Sequence, residues 1–316
     1  MRDTIYSNAI ASSYEGKLLG IEKLNRFVEC QDEKELFRLV LESGFGVGAT
    51  SIDEAIASEW KAWGDFVREY SPTADIQTYL LVKYDYLYLE QLVKSKYLST
   101  NFPTAIYEGL YPQKTLKHAV DSGDYTSLHP IMAKLLAEVD RAFEDAPKGY
   151  EISAMFANAT YQHLLTIRTP VLVKAVKYEI SLKNITVALR SRGNRIVNMY
   201  IQGGDIPLSV LNQLEESIDE NIVFDYKNSV YHDIFASALK CHQLSLPYVE
   251  IERMMDSKLL SILREDRLLL AGSMPFLLYC LYKQNEIKNI RIIVTGIRTN
   301  QEKSTIKERL REGYEG

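Results

Sequence analysis

The chain is poor in the residues that commonly announce chemistry. Its 316 residues include three cysteines, Cys30, Cys241 and Cys280. Their odd number and wide spacing exclude a C-x-x-C knuckle and argue against a disulfide framework, which fits a reducing compartment. The five histidines, His118, His129, His163, His232 and His242, form no i, i+4 pair, so a helix-borne metal site is not expected. There is no G-x-x-x-x-G-K-[ST] loop, which excludes a P-loop nucleotide hydrolase, and neither H-E-x-x-H nor D-D-x-x-D occurs. Nine prolines, sixteen glycines and no low-complexity tract leave little room for flexible linkers. An excess of cations is also missing. The net charge of −5 lacks the electrostatic footprint of a nucleic-acid binder. The longest uncharged run, Leu268 to Tyr282, is shorter than the roughly 20 apolar residues of a spanning helix and is broken by Gly272-Ser273-Met274-Pro275. The opening, Met1-Arg2-Asp3 followed by polar residues, has no apolar signal core, so no targeting segment is expected.

Helical periodicity is what the sequence does have. Ser51-Ile52-Asp53-Glu54 has the spacing of a capping box, and Ile56, Trp60, Trp63 and Val67 follow on one helical face before Ser71-Pro72. Further helices are predicted over Asp75–Tyr97, Gln113–Ser122, Leu128–Asp145, Ile152–Arg168, Val171–Arg192, Pro207–Glu220, Pro247–Arg264 and Pro275–Thr295. Arg291-Ile292-Ile293-Val294-Thr295 has strand propensity but continues the last of these, so it is read as helix. Gly44-Phe45-Gly46-Val47-Gly48 follows a helical pattern, not a strand, and reads as a helix-ending loop.

A tetrad recurs: Leu89-Glu90-Gln91-Leu92, Leu182-Lys183-Asn184-Ile185 and Ile287-Lys288-Asn289-Ile290. Each copy follows an acid (Asp85, Glu179, Glu286) inside a long predicted helix. Chance in helical sequence is one reading; three helical units of about 100 residues is the other. Leu36…Ser43-Gly44-Phe45 and Leu116…Ser122-Gly123 form a second echo, each a helix ended by glycine.

Arg168 to Arg195 holds seven cations (Arg168, Lys174, Lys177, Lys183, Arg190, Arg192, Arg195) and one acid, whereas Asp205 to Asp225 holds six acids and no cation. These are two solvated helix faces, or a basic surface steering an acidic partner. Tyr231-His232-Asp233 could orient an imidazole, though such triplets are common on polar helix faces. Tyr84, Tyr86 and Tyr88 cannot all face one core from a helix, and among 21 tyrosines they suit half-buried packing or an extended protein contact.

Several of these segments resemble the family formed by the prokaryotic C-type and eukaryotic d-type subunits of V/A-type rotary ATPases. Lys17-Leu18-Leu19, the turn Glu29-Cys30-Gln31-Asp32 and Ser43-Gly44-Phe45 are similar to that family's opening. Asn285-Glu286-Ile287-Lys288-Asn289-Ile290-Arg291, after Pro275-Phe276-Leu277-Leu278, looks like its E-I-[KR]-N-[IV]-R helix, and Leu182-Lys183-Asn184-Ile185 like its second repeat. Two details depart from the family pattern: the first tetrad carries Glu90-Gln91 where the others carry Lys-Asn, and Ser43-Gly44-Phe45 stands where the family usually has Thr-x-Tyr.

The resemblance implies an all-α fold of three similar helical domains, residues 1–110, 111–215 and 216–316, forming a funnel around a pseudo-threefold axis. It implies a non-catalytic coupling subunit that links the stalk to the ring and transmits rotation for ion transport, one copy per complex, peripheral on the cytoplasmic face. Its partners would be the central stalk and the membrane proteolipid ring that carries H⁺ or Na⁺. No catalytic residue, metal or cofactor is expected, and no nucleic acid. Lys183, Arg190, Arg192, Arg195 and Arg291 are expected to touch neighbouring subunits. A helical adaptor with an unrelated partner, or a helical enzyme with an unrecognised polar pocket, are the alternatives.

Overall fold

The computed structural model describes residues 3–98, 107–143, 147–191, 199–244, 249–265 and 272–314. Among them every regular element is a helix, and the only β pairing is an isolated bridge between Gly20 and Tyr314. The chain forms two compact units. The first joins the two ends of the chain, residues 1–73 and 245–316; the second is residues 74–244.

In the first unit, α1 (Thr4–Glu15), α2 (Ile21–Val28), α3 (Glu33–Glu42) and α4 (Ile52–Tyr70) combine with α13 (Val249–Glu265), α14 (Met274–Arg298) and α15 (Lys303–Arg309). In the second run α5 (Ala74–Leu98), α6 (Gln113–Ser122), α7 (Pro130–Ala142), α8 (Gly149–Leu164), α9 (Pro170–Arg190), α10 (Leu208–Glu216), α11 (Glu220–Asp225) and α12 (His232–Gln243).

Local sequence explains most helix boundaries. Ser51 caps α4 by accepting the Glu54 amide at 3.2 Å, as the box predicts. The Glu54 carboxylate, however, takes the amide of Thr50, one residue before the cap. Ile56, Trp60, Trp63 and Val67 are all buried, and each fully buried apolar chain contributes about 1.5–3 kcal/mol. Trp63 donates its indole N–H to the Cys280 carbonyl at 2.9 Å, tying α4 to α14. Gly44 (φ 87°) and Gly123 (φ 73°) end α3 and α6 in the left-handed conformation expected of them.

Other expectations shift. The helix predicted from Pro207 to Glu220 stops at Glu216, and a new one starts at Glu220, where the Asp219 side chain caps it by accepting the Ile222 amide at 3.1 Å. Helix α8 begins at Gly149, three residues before the predicted Ile152, since Glu151 accepts the Lys148 amide and extends the first turn. Helix α7 ends at Ala142, short of Asp145, and α14 runs on to Arg298, past the predicted Thr295. The strand-like residues 291–295 are helical within it. Pro247, the expected start of α13, lies outside the described residues, and the helix runs from Val249.

The long helices change their buried side midway. In α9, Val176 is buried while Lys183, seven residues on, is exposed; Lys177 is exposed while Asn184 is buried. Seven residues are nearly two turns, so these pairs share a side and the exposed side must rotate between them. Helix α5 behaves alike, with Leu80 buried and Leu87 exposed. This rotation explains Tyr84, Tyr86 and Tyr88. Tyr86 meets His163 of α8, Tyr84 packs its ring on Tyr107, and Tyr88 is buried within range of the charged Lys117 and Asp121 of α6.

Candidate functional site

The polar interior is concentrated at the midpoints of the three longest helices. In the first unit, Lys283 of α14 lies between two carboxylates, with its ammonium 2.8 Å from Glu59 of α4 and bonded to Glu286 one turn along its own helix. Glu286, 3 % exposed, also accepts the backbone amide of Leu19. Glu59 accepts the Gly46 amide at 2.8 Å, and Lys283 lies 5.1 Å from the centre of the Phe45 ring. Gly46 has φ 66°, and a Cβ there would lie 2.3 Å from that of Ala55, so only glycine fits. One lysine thus gathers Leu18-Leu19, Ser43-Gly44-Phe45-Gly46 and the Glu286 helix, segments drawn from both ends of the chain.

Burial raises the Glu286 carboxyl above its ordinary range; Lys283 and the Leu19 amide pull it down, and Glu59 adds to the rise. Burial also works to lower Lys283, but Glu286 and Glu59 together leave its ammonium above the usual lysine value.

The second unit has a counterpart with different partners. Glu179 of α9 accepts from Tyr79 and Lys83 of α5, at 2.8 Å and 2.5 Å, and from Tyr161 of α8 at 3.1 Å. Burial would raise this carboxyl, yet Lys83, the Tyr79 hydroxyl and Lys183 outweigh it and the group lies below its ordinary range. Near the middle of α5, the buried Asp85 accepts the amides of Leu110 and Tyr111 at 2.8 and 3.2 Å. Gly109 is needed beside it, because a Cβ would fall 2.2 Å from the carboxylate.

The recurring asparagines share one geometry. Asn184 donates to the Ile201 carbonyl and accepts the Ile201 amide, both at 2.8 Å. Asn289 does the same to Arg311, at 3.0 and 2.8 Å. Each amide satisfies both backbone groups of one residue downstream, a fastening that a buried helix midpoint favours because unpaired backbone groups there are costly. In the first tetrad Gln91 stands at this place. Its buried side-chain oxygen has no partner, and Asp85 holds the returning segment instead.

Among the described residues, the exposed cations of α9 fall on two sides of the helix. Lys174 and Lys177 are exposed on one side of α9, while Lys183 and Arg190 are exposed on the other. Lys183 lies 5.9 Å from the Tyr161 ring and contributes to the Glu179 cluster. Arg291 is exposed on α14 in the other unit; Asp53 is held low first by its bond to Arg298, with Arg291 adding charge. Arg192 and Arg195 lie outside the described residues. Of the acidic stretch, Asp205 accepts from Tyr231 at 2.9 Å, Glu215 accepts from Tyr200 at 2.5 Å, and Asp219 is a helix cap. The imidazole Nδ1 of His232 is buried without a partner.

Among the described residues no group of three or more His, Cys, Asp or Glu side chains is placed to hold a metal ion, and no helix is long and apolar enough to cross a membrane. Lys283 and Glu59, which organise the first unit, carry no local signal; their significance depends on partners at the far end of the chain.

Two comparisons with known proteins bear on the chain. Over 260 residues, 79 % of each chain, the protein is 22 % identical to the C subunit of the V-type sodium ATPase of Enterococcus hirae. The family model described as ATP synthase (C/AC39) subunit matches residues 7–309, which takes in all three polar midpoints. The chain therefore belongs to the ATP synthase (C/AC39) subunit family.

Proposed function

We propose that this chain is the non-catalytic coupling subunit of a V/A-type ATPase, joining the central stalk to the membrane proteolipid ring and passing rotation between them. In this reading it sits peripherally on the cytoplasmic face, one copy per complex, and the ring decides whether H⁺ or Na⁺ is carried. The observation that carries the reading is the family match over residues 7–309. The Enterococcus hirae relative, named for its place in a V-type sodium ATPase, supports the same assignment.

The internal architecture suits the task. Transmitting torque demands a body that resists deformation, and close-packed helices do so. The polar midpoints add directional bonds, so the long helices and the segments they hold cannot slide without breaking them. We read the three midpoints as the centres of three similar helical domains, residues 1–110, 111–215 and 216–316, around a pseudo-threefold axis. Their support is the twice-repeated asparagine fastening and the Asp85 variant of it.

Arg190 and Lys183 on one side of α9, with Arg192, Arg195 and Arg291, are the proposed contacts with neighbouring subunits. Reversing the charge of Arg190, Arg192 and Arg195 together should release the ATP-hydrolysing part from membranes, measured as ATPase activity in the supernatant after low-salt washing. Retention of that activity on the membrane would reject these contacts.

A further inference from the structure

A pair of imidazoles in the second unit lies outside the clusters described so far. His129 and His163 stack with centroids 3.8 Å apart and ring planes 15° from parallel. His129 immediately precedes α7 and caps it, its Nδ1 accepting the Ile131 amide at 3.4 Å. His163 is in the last turn of α8 and buried, with its Nδ1 3.2 Å from the hydroxyl of the buried Tyr86 on α5. We propose that this stack is an acid-sensitive latch: neutral, it fastens the start of α7 to α8 and α5, and protonated, it releases the α7 N-terminus.

Three features carry the proposal. A capping Nδ1 must keep its lone pair, so protonation of His129 at that nitrogen removes the bond to Ile131. A cation there would also face the positive end of the α7 dipole. Finally, two imidazolium rings cannot share a 3.8 Å stack without strong like-charge repulsion.

Among the described residues the surroundings offer no compensating anion. From α5 come Tyr86 and Asp85, and from the segment before α6 comes Tyr111, which is bonded to the His129 backbone. Asp85 is committed to the Leu110 and Tyr111 amides, and Tyr86 keeps its proton because burial, with Asp85 and Tyr111, pushes it far up. Lys117 and Asp121 of α6 pair with each other in solvent, as do Lys134 and Glu138 of α7. On α8, Tyr161 is turned to Glu179. Burial lowers His129, and burial with the charge of His129 brings His163 down to about 4. The folded state therefore binds fewer protons than the unfolded state between about pH 6.5 and 4, and the latch weakens as pH falls through that window. Glu179, held below its ordinary range, stays ionised through most of it.

The test is amide exchange at Ile131, Met132 and Ala133 in the full chain, corrected for the intrinsic pH dependence. Between about pH 7 and 5, exchange should accelerate by roughly tenfold or more, the effect of one linked proton per pH unit. A double variant, His129→Asn with His163→Gln, keeps a capping side chain and should show no such acceleration. Equal acceleration in both proteins, or none in the wild type, overturns the proposal. Should the double variant fail to fold, NMR titration of the wild-type imidazoles decides: His163 remaining neutral at pH 5 supports the latch, and an ordinary imidazole midpoint near 6.5 overturns it.

Discussion

Glu179 and Glu286 occupy the same kind of place, the middle of a long helix, and are both enclosed by their own unit, yet they hold protons in opposite ways. Glu179 shares its site with the ammonium groups of Lys83 and Lys183 and two tyrosine hydroxyls that donate to it. Glu286 shares Lys283 with a second carboxylate, Glu59, so two anions divide one cation. Burial opposes ionisation in both, and the balance of partners sets the outcome. The partners hold the second unit's carboxylate below its ordinary range, whereas burial, with the second carboxylate adding to it, holds the first unit's above it.

Removing the cation should expose the contrast most strongly. Lys283→Met leaves Glu59 and Glu286 facing each other without a counter-charge and should cost about 3–5 kcal/mol by urea unfolding of the isolated chain. The loss should grow from about pH 5 to pH 8, since at low pH Glu286 can relieve it by protonation. Lys83→Met should cost less, about 1–2 kcal/mol, because Lys83 is a third exposed and the tyrosine hydroxyls and Lys183 remain. Equal losses at the two sites would mean that the second carboxylate in the first unit is inconsequential.

The smallest effect is the most diagnostic in sign. The depressed Glu179 contributes stability that is present above the ordinary carboxylate range and is lost as pH falls through its folded value. The raised Glu286 does the reverse: its contribution is present at low pH and is lost as pH rises through its folded value. Glu179→Gln should therefore lower stability most at neutral pH, and Glu286→Gln should gain on the wild type as pH rises. Each change is about 1 kcal/mol, read from urea midpoints across pH 4 to 8. The same sign in both variants would contradict the partner balance.

Where local chemistry decided the structure, the sequence was legible. The α4 stripe, the Ser51 cap and the glycine ends of α3 and α6 rest on residues within a turn or two of one another. The strand-like residues 291–295 read as helix because the surrounding pattern outweighs their propensity, and α14 continues through them. What was hidden depends on distant partners. An asparagine in a helix looks alike whether it faces water or fastens Ile201, and Lys283 looks like any surface lysine until Glu59 arrives from the other end of the chain. The cationic stretch is a different case. Charge counted along the sequence ignores the rotation of the exposed side in α9, which sends Lys177 and Lys183 apart. The three acids ahead of the tetrads do lie in long helices, as expected, but only Asp85 fastens a returning segment; in the other two copies the asparagine does.

The most direct test of the coupling role is to assemble the ATPase in membrane vesicles with and without this chain and measure ATP hydrolysis and ion uptake together. If the chain joins stalk to ring, its omission abolishes ATP-driven ion uptake while the detached soluble part still hydrolyses ATP. Ion uptake that persists at full rate without the chain would contradict the account.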